Sequence, residues 1–170
     1  MTTGFGGMVL TDNEKIIERL LDLTKYDNRE KLGESYNYKI SDIQAALGLS
    51  QLKKLDEFVK RRKEIANKYG KMFKESEIDF SYPHEGGIFF RYLIKHENID
   101  AFIENIKKRG VDAAKPVFKP LHTYMNLPDS QFPNTANAYK KAVSIPIYPS
   151  LNDEEAEDVA AVLLNWKENS

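Results

Sequence analysis

The stretch that decides the fold is Tyr36-Asn-Tyr-Lys-Ile-Ser-Asp-Ile-Gln-Ala-Ala-Leu-Gly48. Its first five residues combine aromatic rings, an amide and a base, which is typical of an exposed loop that makes contacts. Ser41 then begins a helix, with Gln44 as its capping-box partner and strong helix formers behind it. Polar side chains before a helix N-terminus lie beside unpaired N–H groups and the positive end of the helix dipole. The pattern therefore allows an anion site, although many helix caps bind nothing.

Length and composition describe an ordinary globular chain. The 170 residues suffice for one domain with a core, or for one domain plus an appendage. Lys and Arg number 25 against 26 Asp and Glu, and this balance argues against a nucleic-acid binder. The lack of cysteine excludes a disulfide, a thiolate metal site and a cysteine nucleophile. Because no signal-like start and no long apolar run is present, we expect a cytoplasmic chain that does not enter a membrane.

The N-terminal part predicts a strand, a helix and a loop. Met8 to Leu10 predicts a short strand after a glycine-rich start, and it must pair distantly or join a sheet outside this sequence. Thr11 and Glu14 predict a capping box for a helix that ends near Leu23. Residues 24–35 are polar and predict a loop.

A long helical pattern follows. Apolar residues from Leu52 to Phe73 recur at spacings of three and four, which predicts a helix of roughly 33 Å. Gly48 predicts a bend before it. The opposite face is basic, and we interpret it as a solvated face rather than a phosphate-binding one because acidic residues are interleaved. Its basic residues are Lys53, Lys54, Lys60, Arg61, Lys63, Lys68 and Lys71.

The C-terminal half predicts the fold class, an α/β chain with a small α+β domain whose mostly antiparallel sheet is flanked by helices. Alternation predicts a strand over Ile88 to Lys95, and helical spacing predicts a helix from Ile99 that ends before Gly110. Further predictions are a strand at 111–118, a helix at 135–142, an edge strand at 143–147 that Pro146 interrupts, and a last helix capped by Asn152 and Glu155.

Residue chemistry alone names no reaction. The three histidines, His84, His96 and His122, lack a paired ligand spacing, so we expect no metal site. No nucleophile elbow and no P-loop is present. His122 lies in a proline-flanked loop with Tyr124, where it is either the edge of a pocket or an exposed loop histidine.

Three stretches together resemble the DegT/DnrJ/StrS family of pyridoxal-phosphate-dependent sugar aminotransferases, which are fold-type-I enzymes. The resemblance runs through the whole chain in order, and the second stretch is the most specific. The stretches are Thr2-Thr-Gly-Phe-Gly-Gly-Met-Val-Leu-Thr11; Tyr36 to Gly48, continuing to Gln51-Leu52 and Arg61-Arg62; and Pro120-Leu-His122, Phe132-Pro-Asn134 and Ser144-Ile-Pro-Ile-Tyr-Pro-Ser150.

The resemblance implies that this sequence is the C-terminal portion of such an enzyme. The family's Schiff-base lysine would lie at or upstream of Met1, so no catalytic residue is assigned here. We expect the chain itself to be inactive, and we expect pyridoxal phosphate to be held by the full-length protein and not by this chain alone. The strand at Met8 to Leu10 would belong to the sheet of an absent large domain. The implied organisation is a large-domain remnant over 1–40, linking helices including the long helix over 41–75, and a small α/β domain over 76–170.

The resemblance also implies site residues. Asn37 would reach the phosphate of pyridoxal phosphate in the neighbouring subunit of a homodimer, with Lys39 beside it where the family often has arginine. Tyr38 and His122 would contact substrate, a nucleotide-linked keto-sugar, with glutamate as the amino donor. Phe5 stands where an acidic residue is usual, which puts the contacts of the glycine-rich hairpin in doubt. Two alternatives stay open: a non-catalytic binding or dimerisation module, and an unrelated α/β domain with coincidental motifs.

Overall fold

The computed structural model describes residues 2–30, 33–80 and 86–166. The chain divides into two compact units, Met1–Asp56 and Glu57–Ser170, and each is described by itself. This division does not test the sequence-based segments 1–40, 41–75 and 76–170, which stay a prediction. Among the described residues, no helix combines the length and the apolar character that crossing a bilayer requires.

The first unit contains two capped helices, α1 (Glu14–Thr24) and α2 (Asp42–Lys53). The predicted Ser41–Gln44 capping box at α2 is confirmed. The predicted box at α1 is wrong, because Asn13 is the N-cap and its Oδ1 accepts from the Lys15 amide at 3.1 Å. Thr11 instead accepts from the amide of Asn13.

Residues 8–10 form no strand, and their side chains are exposed. The prediction of a distant partner within the described chain is therefore wrong. A short strand needs a sheet to supply its hydrogen bonds. That the segment joins a sheet outside this sequence stays a prediction.

The long helix α3 (Leu55–Phe73) is separated from α2 at Lys54. The predicted bend at Gly48 is wrong, because Gly48 lies within α2. The buried positions of α3 fall in the second unit and follow the predicted helical spacing: Ile65, Ala66, Tyr69, Gly70 and Phe73.

The sheet of the second unit has three antiparallel strands in the order β1 (Asp79–Phe80), β2 (Tyr92–Lys95) and β3 (Ala142–Ile145). This confirms the small antiparallel sheet and places β3 at an edge, as Pro146 predicted. The strand predicted from Ile88 is shorter, since Phe89 has φ +46°, which interrupts extended backbone. Instead of a strand over 111–118, a single bridge joins Ala114 to Ser144.

The helices of the second unit are α4 (Ile99–Lys108), α5 (Leu121–Tyr124), α6 (Pro133–Lys141) and α7 (Asp153–Leu164), with a 3₁₀ turn at Asp129–Gln131. Gly110 ends α4 as predicted, with φ +86°. The capping box of Asn152 and Glu155 begins α7 as predicted.

The helices and the sheet of the second unit bury one apolar core. Its largest fully buried side chains are Tyr69, Tyr92, Phe73, Ile65, Ile94, Ile106 and Val143. The predicted fold class, a small domain with an antiparallel sheet flanked by helices, is confirmed.

Candidate functional site

An open cleft of about 820 Å³ lies within the first unit, between the glycine-rich start and the loop before α2. Gly6 shapes one wall with φ +134°, a conformation that side chains rarely allow. A Cβ at Gly6 would lie 3.1 Å from Oγ1 of Thr3 and 3.3 Å from Cδ1 of Ile40. The lining residues are Phe5, Gly6, Gly7, Met8, Val9, Leu20, Thr24, Asn37, Tyr38, Lys39, Ile40 and Gln44.

Gln44 joins the two walls of this cleft. Its Oε1 accepts from the Ser41 amide at 2.9 Å, and its Nε2 donates to the Phe5 carbonyl at 3.0 Å. One side chain therefore caps α2 and fixes the glycine-rich loop. The capping pattern predicted the first contact but gave no signal for the second, which joins residues 39 positions apart.

The loop before α2 is anchored to α1. The Tyr36 amide donates to the Leu23 carbonyl at 2.7 Å. Arg29 donates from Nη1 to the carbonyls of Asp22 and Glu34 at 3.1 and 3.2 Å, and its Nη2 pairs with the Asp22 carboxylate. These bonds place the segment from Tyr36 onward against the cleft. Sequence reasoning missed Arg29.

Asn37 and Lys39 supply the donors of the cleft. Asn37 is exposed, and its side chain has no hydrogen-bond partner among residues 2–30, 33–80 and 86–166. Lys39 is also exposed, with Nζ 5.8 Å from the centroid of the Tyr26 ring. An amide donor and a nearby ammonium can together bind a small anion.

The N-terminus of α2 adds a weaker attraction for an anion. The capping box satisfies the amides of Ser41 and Gln44, which leaves the amides of Asp42 and Ile43 as donors. The dipole of a helix favours a nearby anion by about 0.3–1 kcal/mol. The Asp42 carboxylate in the same turn opposes it. Asn37 and Lys39 must therefore provide most of the affinity for an anion.

The structure brings Asn37, Tyr38 and Lys39 together in this cleft, whereas His122 belongs to the second unit. The interpretation of His122 as an exposed loop histidine is wrong, because only 5% of its surface is exposed. Its Nε2 lies 2.9 Å from Oδ1 of Asp129, and its ring stacks on Phe132 at 4.8 Å. The contact with His122, followed by the charge of Lys140, lowers the pKa of the Asp129 carboxyl. A substrate contact by His122 stays a prediction.

Two residues on the basic face of α3 make contacts that hold the structure together. Arg61 donates from Nη2 to the Leu151 carbonyl at 2.6 Å and pairs with Asp153 at 2.8 Å. Lys68 pairs with Glu157 at 2.7 Å and with Asp153 at 3.3 Å. The solvated-face interpretation is therefore wrong for Arg61 and Lys68, which hold the start of α7.

Arg62 was not assigned a role from the sequence. It donates from Nη1 to the carbonyls of Phe89, Phe90 and Ile147 at 3.2, 3.2 and 2.8 Å. Burial lowers the pKa of its guanidinium. Arg62 thereby holds the strained residue Phe89 against the loop after β3.

Among the described residues, no three His, Asp or Glu side chains form a group that could hold a metal ion.

Comparison with known proteins gives consistent matches. The model of the DegT/DnrJ/EryC1/StrS aminotransferase family matches residues 1–164. The spore coat polysaccharide biosynthesis protein SpsC of Bacillus subtilis is 29% identical, over 94% of this chain and 49% of that protein. The UDP-4-amino-4,6-dideoxy-N-acetyl-beta-L-altrosamine transaminase of Campylobacter jejuni is 30% identical, over 97% of this chain and 49% of its own length.

Solved structures agree on the fold. The crystal structure of DesV from S. venezuelae superposes with a TM-score of 0.80 at 23% identity, covering 95% of this chain and 46% of that one. The chain thus spans about half the length of the relatives that it matches.

Proposed function

Because this chain belongs to the DegT/DnrJ/EryC1/StrS aminotransferase family, we propose that it is the C-terminal portion of a pyridoxal-phosphate-dependent sugar aminotransferase. In this proposal the chain supplies a phosphate-binding loop and a small domain, and it is inactive by itself. The observation that carries the proposal is Asn37, an exposed amide without a partner among the described residues, beside Lys39 in a cleft of about 820 Å³.

The cleft fits one end of pyridoxal phosphate. Asn37 and Lys39 would donate to the phosphate, and the amides that begin α2 would add to its binding. The described lining contains no carboxylate that could pair with the pyridine nitrogen, and its one amine is that of Lys39. When bound in a complete site, the cofactor supplies the electron sink for amino-group transfer. This chain's role in the proposal is therefore to bind and orient the phosphate.

The partner in this proposal is a second subunit. Asn37 is exposed on an anchored loop, so it is accessible to a neighbouring subunit whose active site it would complete in a homodimer. Lysine at position 39 keeps a positive charge but lacks the planar fork of arginine, so its phosphate contact is a point charge without bidentate geometry. The substrate would be a nucleotide-linked keto-sugar, with glutamate as the amino donor and the cytoplasm as the location.

Phosphate binding by Asn37 and Lys39 is tested by comparing the affinity of the chain for pyridoxal phosphate with its affinity for pyridoxal. We expect no stable cofactor complex with the chain alone, but equilibrium dialysis at millimolar ligand should show weak binding that favours the phosphorylated form. Asn37→Ala should lower the ratio of the two affinities about tenfold, since a charge-assisted hydrogen bond contributes about 1.5 kcal/mol or more. Asn67→Ala, at an exposed asparagine of the second unit, is the matched control. Equal loss in both variants, or none in Asn37→Ala, would contradict the proposal.

The predicted inactivity is tested separately. The chain is incubated with pyridoxal phosphate, reduced with borohydride and digested for mass spectrometry, while transamination is assayed in parallel. We expect no turnover and no adduct concentrated at one lysine. A unique reducible adduct together with turnover would show an active enzyme.

A second candidate function is a non-catalytic binding or dimerisation module. The observation that favours it is that α1 and α2 contain no buried residue, although both carry apolar side chains. Ile43, Leu49 and Leu52 are each more than half exposed, and exposed apolar residues that lie together mark interaction sites. Sedimentation should show self-association at high concentration, and a monodisperse monomer would contradict the module. The genomic reading frame upstream discriminates further, because a lysine-bearing domain encoded there favours the enzyme.

A further inference from the structure

Five large apolar side chains lie at the surface of the second unit, on α5 and the segment before it. Leu121, Tyr124 and Met125 follow the spacing of one helical turn, so they lie on one side of this short helix. Exposed apolar side chains that lie together mark interaction sites. The five, which we call the α5 patch, are Val117 (50% exposed), Phe118 (89%), Leu121 (74%), Tyr124 (58%) and Met125 (63%).

The α5 patch is held in place by contacts within the second unit. The Phe118 carbonyl accepts a hydrogen bond from the Tyr139 hydroxyl at 2.9 Å. Within α5, the buried His122 stacks on Phe132 and contacts Asp129. Because the backbone of the patch is fixed at both points, docking a partner there costs little conformational entropy.

A groove of about 480 Å³ adjoins the patch, with Phe118 in its lining. Its charged lining residues are Lys119, Lys140 and Asp129. The Asp129 carboxylate lies 2.9 Å from His122 Nε2 and 3.8 Å from Lys140 Nζ, so its charge is already engaged. Lys119 forms no ion pair in the part of the chain that the structure describes, and its Nζ lies over an aromatic ring of the patch. The patch therefore combines an apolar surface with one unpaired positive charge.

A face of α1 in the first unit has the complementary character. Ile17 and Leu21, one turn apart, are 41% and 65% exposed. Glu14 and Glu18 each lie three residues before one of them, so both carboxylates flank the apolar side chains on the helix surface. Neither glutamate forms an ion pair with a described residue. This face therefore combines apolar side chains with two unpaired negative charges.

We propose that α1 of one copy of this chain docks on the α5 patch of a second copy. The apolar face of α1 covers the patch, and its glutamates lie beside Lys119. Burial of the apolar side chains supplies the affinity, while the charges at the edge select the partner and fix its orientation. A second copy is the occupant because one sequence carries both complementary surfaces. The contact uses neither Asn37 nor Lys39, so it goes beyond the phosphate-binding cleft of the proposed function.

Sedimentation equilibrium of the full chain measures the dissociation constant of this contact. Phe118→Ala should raise the constant at least about tenfold, since a few aromatic side chains supply much of the affinity of an interface. Phe90→Ala is the matched control, at a phenylalanine of the second unit that is 68% exposed and lies outside the patch. It should leave the constant unchanged. A wild-type chain that stays monomeric at millimolar concentration, or self-association that Phe118→Ala does not weaken, would overturn the proposal.

Charge reversal tests which two surfaces meet. The double variant Glu14→Lys/Glu18→Lys and, separately, Lys119→Glu place like charges at the contact, and each should weaken self-association at least about fivefold at low salt. An equimolar mixture of the two variants should restore association, because each α1 then meets a patch of opposite charge. Lys74→Glu, at an exposed lysine of the second unit outside the patch, is the matched control and should change nothing. Failure of the mixture to restore association would overturn the pairing of α1 with the patch.

Carbodiimide cross-linking of a mixture of unlabelled and isotope-labelled chains distinguishes a second copy from the same chain. Cross-links between the α1 glutamates and Lys119 in which the two peptides carry different isotopes support the docking. Cross-links between peptides of the same isotope alone would show that α1 contacts the patch of its own chain, and would overturn it.

The contact between copies and the phosphate site fail separately in this design. Asn37→Ala should leave the dissociation constant of self-association unchanged. Phe118→Ala should leave the preference for pyridoxal phosphate over pyridoxal unchanged. Absent self-association with an intact effect of Asn37→Ala on that preference would overturn the docking of α1 and leave phosphate binding standing.

Discussion

Tyr69 offers a sharp test of how the second unit is held together. The side chain is fully buried, its ring lies 5.1 Å from that of Tyr92, and its hydroxyl donates to the Pro146 carbonyl at 2.9 Å. Tyr69→Phe keeps the ring and removes only the donor. Because the Pro146 carbonyl then has lost the hydrogen bond from the Tyr69 hydroxyl, we expect the free energy of unfolding at pH 8 to fall by about 1–2 kcal/mol.

The same substitution should change the response to alkali. Burial raises the pKa of the Tyr69 hydroxyl, with smaller contributions from Tyr148 and Tyr92. The unfolded chain therefore releases this proton near pH 10, while the folded chain retains it. Stability that is fully present below about pH 10 is lost as the pH rises, at about 1.4 kcal/mol per unit. Wild type should lose about 1.4 kcal/mol by pH 11 through Tyr69, and Tyr69→Phe should not.

The assay is urea unfolding between pH 8 and pH 11, followed by the fluorescence of Trp166, the only tryptophan, which packs 5.2 Å from Phe102 in the second unit. The advantage of wild type over Tyr69→Phe should shrink with pH and vanish near about pH 11. Tyr124→Phe, at an exposed ring, should change stability by less than about 0.5 kcal/mol. Parallel pH profiles for wild type and Tyr69→Phe would refute the reasoning.

Three further predictions concern the ends of helices. Ser41→Ala removes the capping box shared with Gln44 and should weaken α2 by about 1 kcal/mol, which hydrogen exchange of its amides measures; unchanged protection would contradict this. Gly110→Ala forces φ +86° on a side chain and should destabilise the second unit by about 1–2 kcal/mol in thermal unfolding. Contacts with Arg61, then Lys68, lower the pKa of Asp153, so wild type should lose more stability than Asp153→Asn as the pH falls below about 4, whereas equal losses would contradict the pairing.

Helix ends were the best predicted part of this fold, because their signals lie within four residues. The box at Ser41 and the glycine at Gly110 were found from the sequence for this reason. The prediction at Thr11 failed because Asn13, two residues later, offers an equivalent acceptor in the position that the helix uses. Local chemistry identified the kind of cap but could not rank two neighbouring candidates.

Partners that lie far away in sequence could not be predicted. The sequence predicts that the charged face of α3 is exposed to solvent, yet Arg61 donates a hydrogen bond to a carbonyl that lies 90 residues away in sequence. For His122 the sequence left open the edge of a pocket and an exposed loop histidine, and the structure shows a buried ring stacked on Phe132. In the cleft, the family resemblance nominated Asn37 and Lys39, whereas the bond from Gln44 to the glycine-rich loop emerged only from the structure.

The first unit shows what hydrophobic periodicity can and cannot predict. The pattern in α1 correctly predicts an amphipathic helix, but no residue of α1 or of α2 is buried. Exposed apolar side chains continue at Met8 to Leu10, where the predicted strand has no sheet among the described residues. Periodicity indicates that a face is suited to burial, and it carries no information about which surface covers that face. Asn37 is a similar case, because its side-chain amide has no hydrogen-bond partner among the described residues. The phosphate-binding and sedimentation experiments therefore ask one question: which ligand or second chain contacts the exposed groups of the first unit.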